Sequence, residues 1–68
     1  MLFGDKIKEL RENRRLLQRQ MAISLGIDVP MYSRIERGKR RAKREQVIML
    51  SQILHVESED LLCLLVGG

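Results

Sequence analysis

The stretch that most constrains this chain is Gln18 to Arg37, QRQMAISLGIDVPMYSRIER. Met21, Ala22 and Leu25 share one side of a short helical run, by adjacency and i,i+4 spacing. Gly26 follows at once, and glycine ends a helix in the left-handed backbone conformation without steric penalty. Asp28 suits an N-cap, and Pro30 fits only the first turn of a new helix, where its missing N–H is no loss. Tyr32 and Ile35, three apart, form the inner side of that second run. The pattern is helix, glycine turn, helix, with apolar residues only where two steeply crossing helices would touch.

The flanks read as further helices. Residues 5–15 carry Ile7, Leu10 and Arg14 at helical spacing, with Asp5 at the positive end and Arg14 and Arg15 at the negative end. Phe3 is expected to tuck beneath this helix as core. Gly38 ends the third helix at about Arg37, and residues 38–44, GKRRAKR, form a basic loop. A fourth helix over 45–54 has Val47, Leu50, Ser51 and Leu54 as its inner stripe. His55 follows at a helix-end position, and a last helix spans about 58–66. The methionines read as gap-filling core, except Met31 as a surface residue of the third helix. No strand pattern, repeat or low-complexity segment is present. The expectation is an all-α, compact five-helix bundle forming one domain over 1–68.

A core of 68 residues is marginal and needs help from packing, metals, disulfides or oligomerisation. With one cysteine, Cys63, and one histidine, His55, neither a disulfide within the chain nor a four-ligand zinc site can form. Association with a second copy is the remaining route. No apolar signal region or membrane-length run is visible, so a cytoplasmic setting is expected. No catalytic set, cofactor, metal or small-molecule ligand is expected. All 13 Lys and Arg lie in residues 1–44 against five acids, a local charge of +8; residues 45–68 carry four acids and neither Lys nor Arg. One face suits a polyanion and the other avoids it.

Two helices joined by a short glycine-containing turn form the helix-turn-helix arrangement. Over its whole length the chain resembles the Cro/repressor-type, or Xre, helix-turn-helix domains. The resemblance is carried by FGDKIKELRE, by Gln18, Met21-Ala22, Leu25-Gly26 and Tyr32-Ser33-Arg34-Ile35-Glu36-Arg37-Gly38, and by VIMLSQILHVESEDLL. It implies five helices, the second and third forming a DNA-binding unit, a two-fold dimer on a near-palindromic site, and an ion pair between Arg11 and Glu36. The chain departs from the family in three places. Leu17 replaces the usual Ser or Thr cap, Val29 and Pro30 occupy positions that usually carry polar residues, and His55 stands where Gly is usual. His tolerates left-handed angles better than most residues.

If Tyr32 and Ile35 face in, then Val29, Pro30, Ser33, Arg34 and Arg37 face out toward base edges in the major groove. Arg34 is the leading reader, because Arg can bond both O6 and N7 of guanine. Val29 and Pro30 offer only apolar contact, for which the thymine methyl is the partner. Gln18 stands at the start of the second helix, where amide and free N–H groups hold a phosphate. Arg19, Lys39, Arg40, Arg41, Lys43 and Arg44 are further phosphate contacts. Leu61, Leu62, Leu64, Leu65 and Val66 are too many for one face of a short helix, so some are inward core and the rest form an exposed patch unless a partner covers it; the expected homodimer interface is drawn from Leu61, Leu62, Cys63, Leu65 and Val66. The expected function is a sequence-specific double-stranded DNA-binding transcriptional regulator of repressor or controller type. The alternatives are a protein-interaction module of the same fold, or the DNA-binding domain of a larger protein.

Overall fold

The computed structural model describes residues 2–67, with side chains described through Leu65. Among these residues there are five helices and no strand: α1 Phe3–Asn13, α2 Gln18–Leu25, α3 Val29–Glu36, α4 Arg44–Leu54 and α5 Ser58–Gly67. None is long and apolar enough to cross a membrane. The first helix starts two residues earlier than expected and ends two earlier.

Local chemistry sets the boundaries. Asp28 accepts the Met31 N–H at 2.8 Å, and Pro30 lies in the first turn of α3. Gly26 closes α2 at φ 70°, which lets Ile27 N–H reach back to the Ala22 carbonyl at 3.0 Å. His55 takes the left-handed position at φ 56° after α4, where Val56 N–H bonds the Ser51 carbonyl. Leu17 has no side chain to cap α2; instead Gln20 Oε1 accepts the Leu17 N–H at 2.7 Å. Arg15 also adopts positive φ, which the sequence did not signal.

The core gathers Phe3 and Ile7 from α1, Met21 and Ala22 from α2, Tyr32 and Ile35 from α3, Val47, Leu50 and Leu54 from α4, and Leu61 from α5. Ser51 is buried beside them, its hydroxyl donating to the Ile48 carbonyl. On α1 the buried residues are Phe3, Gly4, Ile7 and Arg11, with Leu10 half-buried; Arg14, expected on that face, is exposed. Its Nε donates to the Leu54 carbonyl at 3.0 Å, tying the ends of α1 and α4 together. Met21 is core as expected, but Met49 is 41% exposed, because the α4 stripe through Val47 and Leu50 turns it outward. Met31 is half-buried, and Met1 lies outside the described residues.

Leu61, expected at an interface, is 1% exposed and belongs to the core. The α5 register turns it toward α1 and α4, leaving Leu62, Leu64 and Leu65 half-buried and Cys63 exposed. The Val66 side chain lies outside the described residues.

Candidate nucleic-acid interface

The outer surface of α3 carries Val29, Pro30, Arg34 and Arg37 exposed, with Ser33 half-buried between them. Tyr32 and Ile35 point the opposite way, 0% and 1% exposed. The candidate reading residues therefore share one face, as their spacing predicts. Asp28 does not add a polar group to this end, since its carboxylate caps the helix. Arg37 Nε lies 3.4 Å from the Ser33 carbonyl, along the same face.

The basic loop is continuous with α3. Lys39 and Arg40 N–H groups both donate to the Arg34 carbonyl, at 2.8 and 3.3 Å. Lys39, Arg40, Arg41, Lys43 and Arg44 are all exposed, whereas Ala42 among them is 3% exposed and packed into the core. One small apolar residue thus pins a loop whose cations stay in solvent. The sequence signal for this anchor is that Ala42 is the one apolar residue in a basic run. Arg44 opens α4 rather than closing the loop.

Beneath this face lies a buried charge cluster. Arg11 and Glu36 are 8% and 5% exposed, so the pair is interior. Arg11 Nε donates to Glu36 Oε2 at 2.6 Å and Nη2 to Oε1 at 3.2 Å, while Nη1 donates to the Leu16 carbonyl at 2.8 Å. Gln18 Nε2 also donates to Glu36 Oε1, at 3.0 Å. Burial alone pushes the Glu36 carboxyl up, but the Arg11 guanidinium first, then the nearby Tyr32 phenol and the Gln18 amide, reverse this and hold it below the usual carboxylate range. Burial, then the Glu36 carboxylate, push the Tyr32 phenol well above its usual value and keep it protonated. The Tyr32 hydroxyl meets no hydrogen-bond partner among the described residues.

Gln18 thus has one amide donor turned inward on Glu36, an arrangement its position at the helix start did not reveal. Arg19 beside it is exposed. Gly4 was also missed as a site of close approach: a Cβ there would overlap the Glu36 carbonyl oxygen and come within 2.7 Å of its carbon and of the Ile35 carbonyl oxygen. The end of α3 is therefore seated directly on α1.

Two short helices around a left-handed glycine, an exposed outer side of α3 and an adjacent basic loop define a helix-turn-helix domain. The chain belongs to the helix-turn-helix domain family, whose match spans residues 2–65. The Cro/repressor-type resemblance of the motif holds. The chain is 36% identical over 61 residues to the uncharacterized HTH-type transcriptional regulator YqaE of Bacillus subtilis, covering 90% of this chain and 53% of that protein. It is likewise 36% identical over 61 residues to the HTH-type transcriptional repressor RghR of the same organism, covering 88% and 45%. The chain spans about half the length of the curated relatives it matches. It superposes with a TM-score of 0.77 on the restriction-modification controller protein C.AhdI from Aeromonas hydrophila, at 30% identity over 87% of this chain and 86% of that one. The clp gene regulator ClgR from C. glutamicum shares the fold at a TM-score of 0.77 and 20% identity, covering 96% and 84%.

Proposed function

We propose that this chain is a sequence-specific double-stranded DNA-binding transcriptional regulator of repressor or controller type, acting as a homodimer with α3 in the major groove. The observation that carries this reading is the exposed outer side of α3, with Val29, Pro30, Arg34 and Arg37, followed directly in the chain by the exposed cations Lys39, Arg40, Arg41, Lys43 and Arg44. A groove-entering helix needs readers on its outer side and cations flanking them for the phosphates. The two relatives named above are described as an HTH-type transcriptional regulator and repressor, in keeping with it.

Arg34 is the reader for guanine through O6 and N7. Val29, 38% exposed, and Pro30 contact thymine methyl groups, so base hydrogen bonds are few and DNA shape carries more of the specificity. Gln18, Arg19 and the basic loop hold phosphates. The role is occupancy of an operator rather than catalysis.

The size of one copy is in keeping with a dimer. The molecule measures 27 × 23 × 20 Å, whereas successive major-groove half-sites lie roughly 34 Å apart. Two copies are needed to read both. Leu62, Leu64 and Leu65, half-buried on α5 with exposed Cys63, supply the apolar face for pairing.

Selection of duplexes from a random pool tests the reading directly. Two half-sites spaced by about one helical turn are expected, with log K falling against log salt at a slope near −5 if roughly six phosphates are neutralised. Arg34→Ala should relax the preference at one base position. An unchanged preference would remove Arg34 as a reader, and a flat salt dependence would favour the protein-interaction alternative.

A further inference from the structure

The start of α3 offers DNA an apolar surface. Val29 and Pro30 are its first two residues and both are exposed. The Asp28 carboxylate just before them accepts the Met31 N–H at 2.8 Å, so it is turned back onto its own helix. Met31 and Ser33 are half-buried. Arg34 is exposed one turn beyond Pro30, and its guanidinium donates only.

Thymine and cytosine differ in two ways on the major-groove edge. Thymine has a C5 methyl and an O4 acceptor, whereas cytosine has no methyl and an N4 donor. An apolar pair answers only to the first difference. The group that selects the N4 donor is a carboxylate, and the one at this end is engaged as a cap. The Ser33 hydroxyl both donates and accepts, so it meets either atom. 5-Methylcytosine combines the methyl of thymine with the hydrogen-bonding edge of cytosine. Its partner is guanine, which puts the O6 acceptor where adenine has the N6 donor. Val29 and Pro30 have no side-chain group to engage that atom, and Arg34, a donor, is compatible with it.

We propose that Val29 and Pro30 read the pyrimidine C5 methyl alone, so that the protein takes 5-methylcytosine in place of thymine at the base they face and discriminates against unmethylated cytosine. This rests on the DNA-binding reading above and adds a regulatory input to it. A half-site with cytosine at that base is weak when unmethylated and strong when methylated.

The test uses the duplex obtained by selection, with each thymine of the half-site exchanged in turn, in both half-sites, for uracil, cytosine or 5-methylcytosine. Binding is read by fluorescence anisotropy. At one position, uracil and cytosine should each weaken binding roughly fourfold per half-site, the loss expected for one buried methyl group. At that position 5-methylcytosine should match thymine. Val29→Ser with Pro30→Ser should abolish the difference between thymine and uracil. Should that variant not fold, Val29→Ser alone should shrink it.

Uracil binding as tightly as thymine at every position overturns the proposal, as does 5-methylcytosine binding as weakly as cytosine. A methyl preference that the serine variants keep in full also overturns it, since DNA shape would then carry the effect. Failure of the unaltered protein to select any duplex would instead remove the DNA reading itself, and the proposal with it.

Discussion

At the scale of single residues, Gly4 and Glu36 govern how α3 is seated. In an open helix interior, Gly→Ala gains up to about 1 kcal/mol from propensity. Here the added methyl would strike the backbone of Ile35 and Glu36, which cannot swing aside as a side-chain tip would. Gly4→Ala should therefore destabilise the fold, by about 1–3 kcal/mol as for other overpacked sites, measured by urea denaturation. Glu36 also sets a pH dependence. Its folded-state pKa is depressed, so the folded chain binds fewer protons than the unfolded one between the two values. The stabilisation is complete above the unfolded value, about 4.3, and is lost as pH falls through the lower folded value. Thermal melts across this window should show Tm falling with acidity. The Arg11→Met and Glu36→Met pair should lessen that dependence. Glu36→Ala alone should cost about 3–5 kcal/mol, because it strands the Arg11 charge.

At the scale of elements, the weakest start is that of α2. Leu17 sits at its N-cap with extended angles, φ −91° and ψ 152°, and 55% exposure. The geometry already suits a capping hydroxyl, and little apolar burial would be lost. Leu17→Ser should stabilise the domain by about 0.5–1 kcal/mol, seen as a raised urea midpoint with an unchanged m-value. By contrast α3 begins well, with Asp28 on the Met31 N–H and proline in the first turn. The second unusual junction, His55, holds left-handed angles that glycine adopts freely. His55→Gly should raise Tm, because the β-carbon strain disappears while the Val56 to Ser51 backbone bond is kept. The helix boundaries near Gly26, Asp28, Pro30 and His55 were legible because each is fixed by chemistry within a few residues. The extent of α1 was not, since Phe3 and Gly4 join it through packing against α3.

At the scale of the whole molecule, the basic loop borders the apolar side of α5: Lys39, Arg40 and Arg41 share a groove with Leu64 and Leu65, and Lys43 and Arg44 share another with Leu62 and Leu65. All 13 Lys and Arg lie before Glu45, seven of them between Arg34 and Arg44, while the chain from Glu45 onward carries acids and neither Lys nor Arg. A dimer formed through α5 would set the two basic loops beside the seam between the copies. Sedimentation velocity should show a concentration-dependent monomer–dimer equilibrium, with Leu62→Lys and Leu65→Lys shifting it to monomer. The same substitutions should weaken binding to a two-half-site duplex far more than to a single half-site, since paired sites gain from effective concentration.

By itself the sequence determined the all-α class, the helix order, the glycine turn and the outward face of α3. These follow from local rules: a helical period, caps, and a proline that tolerates few positions. Tertiary structure alone decided which of several candidates at the same spacing went inside. Arg11 rather than Arg14 is buried, because only Arg11 meets a carboxylate and a carbonyl in the interior that satisfy its guanidinium. Leu61 rather than Leu62 enters the core, and Ala42 anchors the loop, because those positions face packed neighbours. The contact of Gln18 with Glu36, across 18 residues of chain, likewise exists only once α2 and α3 have crossed. Periodicity fixes what shares a face; burial partners, which are non-local, decide what that face does.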